Sequence, residues 1–215
     1  MRALQAVSMK KSFKKLMSSG NFRTNRLEAF SDGVFAIVIT LLVLELRVPE
    51  VHGWPVSQEL LGGLKNLLPK FLSFAVSFIY ITIYWINHHQ LFHLLQKTDR
   101  GLFWLNSFFL MCLAFIPFPT ALIGSYPSET VAVVFYGVAM MVTAISFVLM
   151  KIYIFYSGEL IETSPSVRPS VFYLAAGPLL YCAAVLLALV DIRLAIAIYL
   201  LIPIIYFFAG GLEEA

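Results

Sequence analysis

The chain has 215 residues, of which 60% are hydrophobic and only 13% charged, and its formal net charge is +3. A soluble domain carries about 25% charged residues, so the composition excludes an ordinary soluble domain and predicts a protein of the lipid bilayer. The small positive charge argues against a nucleic-acid partner. The two cysteines, Cys112 and Cys182, lie in apolar runs and indicate no disulfide framework.

Residues 1–25 form a basic N-terminal segment. Lysines occupy the positions where a signal peptide would have its apolar core, so we expect no cleavable signal here. The stretch at 10–15 is predicted either to contact anionic lipid head groups or to be a disordered tail. We predict that residues 1–25 are cytoplasmic and that residues 26–215 form one transmembrane domain.

A compact polar cluster directly precedes the first apolar run, and it contains Arg26, Glu28, Ser31 and Asp32. Charges beside a hydrophobic span are costly and point to a functional site. Capping of a membrane helix explains Ser31 and Asp32 equally well when these two are considered alone. Arg26 and Glu28 are close enough in sequence to add a charge-paired network, which would fix one geometry.

The apolar run that follows has a helical period. Ile37, Leu41, Leu44 and Val48 recur at steps of four, three and four residues, which is the spacing of one helix face. An apolar seam of this kind is usually ordinary helix packing. As a pore lining it would act as a hydrophobic gate, because narrow rings of aliphatic side chains exclude water. Thr40 lies beside the seam and would offer hydroxyl oxygens to a cation that is losing its water.

Glu45 lies one turn beyond Leu41, near the far end of the first span. One interpretation is an interfacial acid that pairs with Arg47. The other is a pore mouth, at which a carboxylate concentrates cations. The sequence leaves both open.

Six apolar runs are candidates for membrane-crossing helices, each of which needs about 20 residues. They cover residues 33–48, 71–89, 102–123, 131–156, 171–190 and 194–210. Only a few residues around Asp191 separate the last two, which must form a tight hairpin. Basic residues concentrate in the N-terminal segment and in the loops after spans two and four, so the positive-inside rule places both termini in the cytoplasm.

Four prolines and the loop between the first two spans predict local departures from straight membrane-crossing helices. Pro117 and Pro119 are predicted to stop or kink span three. Pro178 and Pro203 lie inside spans five and six, where neighbouring groups must satisfy the carbonyls that they free. The loop between spans one and two is predicted to contain a short interfacial helix over residues 56–68.

Span two ends in a histidine-rich stretch. His89 and His93 are one helical turn apart, a spacing that can ligate zinc. Zincin metalloproteases need a Glu directly after the first His, but Gln90 follows here and no acid comes before Asp99. A membrane metalloenzyme is kept only as an alternative, and the sequence assigns neither a metal ligand nor a catalytic residue.

The same stretch has two further interpretations. Histidines at a helix end hydrogen-bond to neighbours or favour the negative end of the helix dipole. Alternatively, polar side chains here buttress the polar cluster of span one, which the predicted topology places on the same cytoplasmic side. The candidates for that role are Trp85, Asn87, His88 and His89.

Three segments resemble the transmembrane protein 175 family of potassium channels. RLEAFSDGVFAIVITLLVLEL is similar to the first helix of that family, whose Arg-x-x-x-Phe-Ser-Asp signature falls on Arg26, Phe30, Ser31 and Asp32. YWINHHQLF is similar to the Trp and His-His pattern of its second helix, and LNSFFLMCLAFIPFPT to the Asn and Pro-Phe-Pro-Thr pattern of its third. The resemblance covers residues 26–123, and spans four to six match only in hydropathy.

The resemblance implies a homotetramer, because members with a single six-helix repeat assemble as tetramers whose first helices line a central pore. It places the narrowest ring at Ile37, further aliphatic layers at Leu41 and Leu44, and a hydroxyl layer linked to selectivity at Thr40. The polar residues that it implies as partners of the Arg-Phe-Ser-Asp foot are Trp85, His88 or His89, and Asn106.

We therefore predict an all-α, polytopic membrane protein with six transmembrane helices per subunit and cytoplasmic termini. Its predicted function is that of a homotetrameric, potassium-preferring cation channel in a prokaryotic inner (plasma) membrane, gated by hydrophobic rings, with Glu45 at the pore mouth. Its predicted partners are lipid and monovalent cations, and no cofactor is expected. The alternative is a proton-conducting channel or a secondary transporter that relays protons through Asp32, Glu45 and the histidines.

Overall fold

The structure, a computed structural model, describes residues 24–156, 160–161 and 171–210. Regular structure in this part of the chain is helical, which confirms the all-α prediction. The helices are α1 (Thr24–Leu42), continued by a 3-10 turn (Val43–Glu45), α2 (Val56–Asn66), α3 (Leu68–His93), α4 (Arg100–Phe115), α5 (Pro117–Ser125), α6 (Thr130–Tyr156), α7 (Val171–Ala188) and α8 (Ile192–Gly210). Most of the predicted basic segment, residues 1–23, lies outside the described residues.

Four stretches are long and apolar enough to cross a membrane, and they are Thr24–Glu45, Leu68–His93, Arg100–Ser125 and Thr130–Tyr156. They confirm the first four predicted spans. The polar cluster before the apolar run is itself part of α1, which is helical from the first described residue, Thr24. Among the residues whose side chains the structure describes, α7 and α8 contribute the apolar stretches Leu174–Ala188 and Ile192–Tyr206, which are shorter. Predicted spans five and six are therefore helical, and their crossing of the bilayer stays a prediction.

The core of the bundle lies where α3, α4 and α6 meet. Ile81, Phe109 and Met140, one from each of these helices, are fully buried. α1 packs against α3, α4 and α5, whereas α7 packs against α6 and α8. The first helix thus takes its support from the second and third predicted spans.

The predicted effects of two prolines are visible in the backbone. α4 ends at Phe115 and α5 begins at Pro117, which confirms the break within the third span. In α8, Pro203 lacks the N–H that would bond the carbonyl of Tyr199 four residues earlier. The Tyr80 hydroxyl on α3 donates to that carbonyl instead, at 2.7 Å. A neighbouring helix therefore satisfies the group that the proline frees, as expected in a membrane.

The predicted hairpin between the last two helices is also present. α7 ends at Ala188, α8 begins at Ile192, and the two helices pack against each other. Asp191 shapes the turn, since its N–H donates to the carbonyl of Leu187 at 2.8 Å and its carboxylate accepts from the N–H of Arg193 at 2.8 Å.

The loop between α1 and α3 contains the short helix predicted for residues 56–68. It forms as α2, and none of its side chains is buried in the subunit. Glu59 ties the preceding loop to α2 by accepting from the N–H of Gly53 at 2.6 Å and from that of His52 at 3.2 Å. The helix itself is confirmed, and its location at the membrane interface stays a prediction.

Asp99 sets the position of α4 relative to α6. Its Oδ1 accepts from the N–H of Leu102 at 2.8 Å, which is an N-cap. Its Oδ2 accepts from the Tyr153 hydroxyl on α6 at 2.6 Å. Gly101 lies so close to the Tyr153 ring that a Cβ at this position would collide with it. These contacts fix the start of the helix that carries Asn106.

Candidate functional site

The helix α1 has one buried stripe. The buried side chains recur at steps of four, four, three and four residues, and they are Leu27, Ser31, Phe35, Val38 and Leu42. This is the spacing of a single helical stripe. It accounts for the packing of α1 against α3, α4 and α5.

The aliphatic seam predicted from the sequence lies on a different side of the same helix. Ile37, Leu41 and Leu44 are 59%, 41% and 66% exposed in the isolated subunit. The seam is therefore not packed within its own subunit. In a bilayer such a face contacts lipid, another copy of the chain or a narrow pore.

Thr40 is the exposed hydroxyl beside this seam. Its Oγ1 lies 2.8 Å from the carbonyl of Ile37 and 3.1 Å from that of Ala36, so its proton is donated back into the helix. A hydroxyl that has donated its only proton retains lone pairs that can accept. The oxygen at Thr40 is therefore suited to a cation rather than to an anion.

Glu45 ends the 3-10 turn that continues α1, and its side chain is exposed. Arg47, the partner expected in the interfacial interpretation, forms no ion pair with it in the described stretch 24–156. The carboxylate thus lies free of that pairing, at the end of α1 that is remote from the polar cluster.

A buried hydrogen-bond chain, which we call the buried foot, consists of Ser31, Asn106 and His88 and links α1, α4 and α3. Each of these side chains is at most 1% exposed. Asn106 Nδ2 donates to Ser31 Oγ at 2.9 Å, and Asn106 Oδ1 lies 2.9 Å from His88 Nε2. Ser31 Oγ in turn donates to the carbonyl of Leu27 at 2.9 Å. The structure therefore brings Ser31 of the Arg-Phe-Ser-Asp foot together with two of its predicted partners, Asn106 and His88.

The buried foot has a single consistent direction of hydrogen bonding. Because the amide nitrogen of Asn106 donates to Ser31, its oxygen is left to accept, so His88 Nε2 must carry a proton. Each of these bonds then has a donor and an acceptor, which matters because an unpaired buried polar group is costly. Of the two candidate histidines, His88 is the one that bonds to Asn106 and so belongs to the buried foot.

Aromatic rings enclose His88. The ring of Phe92 lies 3.9 Å away between centroids, that of Phe35 5.5 Å and that of Phe109 6.1 Å. The sequence interpretation missed this enclosure. A signal for Phe35 was nevertheless present, since it lies four residues after Ser31 and therefore on the same stripe of α1.

A second set of contacts, the outer ladder, joins α1 to α3 beside the buried foot. Asp32 Oδ1 accepts from the Trp85 indole N–H at 2.9 Å. Glu28 Oε1 lies 3.2 Å from His89 Nδ1. The residues pair in opposite chain order, four apart on each helix, so α1 and α3 run antiparallel here. Trp85 also stacks on His89, with centroids 5.8 Å apart and planes 17° apart.

Other predicted or candidate residues lie outside both sets of contacts. Arg26 and Phe30 are exposed, Phe30 by 51%, because they occupy other sides of α1 than Ser31. Asn87, a candidate buttress, donates to the carbonyl of Ile83 in its own helix at 2.9 Å. The expected pairing of Glu28 with Arg26 is replaced by the contact between Glu28 and His89.

Comparison with known proteins defines the class to which this fold and site belong, that of membrane ion channels. A family model described as "Endosomal/lysosomal potassium channel TMEM175" matches residues 26–117, which contain the aliphatic seam and the buried foot. A Streptomyces collinus protein named a potassium channel is 37% identical over 196 residues, covering 86% of this chain and 92% of that protein. The chain belongs to the TMEM175 family, whose members are ion channels and not enzymes.

Two further comparisons involve Chamaesiphon minutus. A protein of this organism named a potassium channel is 46% identical over 127 residues, which cover 58% of this chain and 62% of that protein, less than two thirds of its length. A crystal structure described as a lysosomal potassium-selective channel TMEM175 homologue from the same organism matches with a TM-score of 0.77 at 35% identity. That match covers 86% of this chain and 97% of the other chain. The resemblance inferred from the three sequence motifs is thereby confirmed.

Proposed function

We propose that this chain forms a potassium-preferring cation channel of a prokaryotic inner membrane, with four copies around a central pore lined by α1. The observation that carries the proposal is the exposed aliphatic seam, Ile37, Leu41 and Leu44, on a helix long and apolar enough to cross a membrane. The names of the bacterial relatives support potassium as the permeant ion.

The oxygen atoms on this part of α1 support a pore rather than contact with lipid alone. Thr40 lies among the seam residues with its acceptor oxygen available, and Glu45 follows them at the helix end. Around a shared axis, hydroxyl oxygens and carboxylates would form rings, and rings of oxygen ligands and acidic side chains are what cation pores use. The number of copies rests on the family resemblance, in which members with a single six-helix repeat assemble as tetramers.

The seam would act as the gate. Ile37 makes the narrowest ring, and Leu41 and Leu44 form further layers. When the rings are narrow they exclude water and ions, and they must dilate for a hydrated or partly hydrated cation to pass. Thr40 would supply oxygen ligands, and Glu45 would raise the local concentration of cations at the mouth.

In the proposed topology each subunit crosses the membrane six times, and both of its termini lie in the cytoplasm. The close packing of α7 and α8 across a short turn supports two further crossings that return the chain to its starting side. The polar foot then lies at the cytoplasmic end of α1, and Glu45 at the outer end.

The test is current through the purified full chain in planar bilayers under mixed potassium and sodium. We expect cation currents whose reversal potential follows the potassium gradient. Ile37→Asn should wet the narrowest ring and raise the conductance. Leu186→Asn on α7 is the matched control, because Leu186 is 60% exposed, as Ile37 is, but lies away from α1. It should leave the conductance unchanged.

Two results would overturn the proposal. An equal response to both substitutions would show that α1 does not line the pore. Proton flux into liposomes that continues without potassium, with no potassium current, would favour the proton-conducting alternative.

A further inference from the structure

Glu28, His89 and His93 form a cluster of potential metal ligands at the N-terminal end of α1. One oxygen of Glu28 and one nitrogen of each histidine lie within 4.8 Å of one another. The two histidines are on successive turns of α3, and Glu28 reaches them from α1. The sequence shows no acid close to this histidine pair along the chain, and the third ligand becomes visible only when the two helices are packed together.

We propose that Glu28, His89 and His93 bind a divalent transition metal of the zinc class, with water as the remaining ligand. Zinc takes imidazole nitrogen at about 2.0–2.1 Å and carboxylate oxygen at about 2.0–2.2 Å in tetrahedral sites, so ligand atoms lie about 3.4 Å apart. Glu28 Oε1 and His89 Nδ1 are already 3.2 Å apart. His93 is exposed, so its ring can rotate inward to complete the set.

The surroundings hold the His89 ring in place. Trp85 stacks on the His89 ring, and Asp32 holds the Trp85 indole through its 2.9 Å hydrogen bond. The His93 ring meets the His89 ring edge-on, with centroids 4.7 Å apart. Outer contacts of this kind orient metal ligands, and their loss lowers metal affinity by about 10- to 100-fold.

The choice of metal follows from the ligand atoms. Two imidazoles with one carboxylate suit zinc and its transition-metal neighbours. Magnesium and calcium prefer oxygen ligands only. A metal at this position would connect α1 to α3 directly beside the buried foot. The site does not depend on ion conduction and can be measured on the purified protein.

The experiment is calorimetric titration of the tag-free full chain in detergent with Zn²⁺, in the presence of excess Mg²⁺. We expect one Zn²⁺ per chain, without competition from Mg²⁺. Both Glu28→Gln and His93→Gln remove a ligand and should weaken binding at least tenfold, because even the loss of a residue that only orients a ligand costs about 10- to 100-fold. His93 is exposed, so we expect His93→Gln to fold normally. This variant therefore tests the proposal even if Glu28→Gln folds poorly.

His52→Gln is the matched control. His52 is also an exposed histidine beside a carboxylate, with its Nε2 3.4 Å from Glu50 Oε2, but it lies in the loop before α2. Its substitution should leave the Zn²⁺ affinity unchanged. Three results would overturn the proposal. The Zn²⁺ affinity could fall as much in His52→Gln as in Glu28→Gln, or it could stay unchanged in His93→Gln. The excess of Mg²⁺ could also abolish the binding of Zn²⁺.

Discussion

Asp32 on α1 accepts a hydrogen bond from the indole nitrogen of Trp85 on α3 at 2.9 Å, although the indole is partly exposed. With the contact between Glu28 and His89, this bond sets the antiparallel register of the two helices. The side chain of Asp32 points towards α3 rather than along the aliphatic seam, and we propose that Asp32 positions the first helix.

The bond between Asp32 and Trp85 can be measured by a double-mutant cycle. Asp32→Ala should lower the yield of folded, assembled protein, and Trp85→Phe should destabilise the protein because it removes the N–H donor together with part of the ring that stacks on His89. A hydrogen bond to a charged group contributes about 1.5–3 kcal/mol when buried, so we expect a coupling of about 1 kcal/mol at this partly exposed site. Chemical denaturation and size-exclusion profiles of the purified variants supply the measurement.

Trp104→Phe serves as the control for this cycle, since Trp104 lies on α4 and is exposed. Its effect should add to that of Asp32→Ala without coupling. Additive effects of Asp32→Ala and Trp85→Phe would contradict the assignment of Asp32 as a positioning residue. So would normal assembly of Asp32→Ala with altered conductance.

Asn106→Leu should be the most destabilising substitution in the buried foot. It deprives His88 of its acceptor and Ser31 of its donor at the same time, in a place where neither can reach water. We expect a loss of about 1–3 kcal/mol, since unsatisfied buried groups cost this much. The midpoint of denaturant unfolding is the readout. Ser31→Ala should cost less, and the reverse order would show that Asn106 is not the central member.

Thr40→Val replaces the seam hydroxyl by a methyl group of nearly the same shape. If the Thr40 oxygens contact the permeant ion, the preference for potassium over sodium should decrease while the protein remains assembled. Reversal potentials under mixed ions give the measurement. Thr82→Val is the control, because Thr82 on α3 also donates to its own helix, at 2.9 Å to the carbonyl of Phe78. An equal preference for potassium over sodium in the wild type and in Thr40→Val would show that Thr40 does not contact the permeant ion.

Tyr80→Phe should destabilise the protein by about 1 kcal/mol, the typical contribution of one hydrogen bond. It leaves the carbonyl of Tyr199 without the donor that replaces the missing N–H of Pro203. In a Pro203→Ala background the helix supplies its own N–H, so the effect of Tyr80→Phe should shrink. Thermal unfolding of the wild type, the two single variants and the double variant tests this. An undiminished effect would show that the hydroxyl acts elsewhere.

Periodicity along the sequence predicted the features that depend on one helix alone. The spacing of Ile37, Leu41 and Leu44 separates the exposed seam from the buried stripe, and proline chemistry predicted the break before Pro117. Such features follow from 3.6 residues per turn and from the missing N–H of proline.

Features that depend on the register between helices could not be predicted in the same way. Nothing in the sequence decides whether His88 or His89 faces Asn106, because a rotation of α3 by 100° exchanges them. The pairing of Glu28 with His89 requires the antiparallel alignment of α1 with α3, and local sequence suggested Arg26 as its partner instead.

The polar contacts that join α1 to other helices are concentrated at residues 28–32, and this has a geometric consequence. The helix is bonded to α3 and α4 around Ser31, whereas the 3-10 turn at its other end, Val43–Glu45, has no buried side chain. At 1.5 Å per residue, Ile37 lies about 9 Å and Leu44 about 20 Å from Ser31 along the axis. A rod pivoting by about 5° at its fastened end would displace these positions by about 0.8 Å and 1.7 Å respectively. A small swing of this kind would therefore move Leu44 about twice as far as Ile37, and it would also displace the buried side chain of Leu42 from its packing.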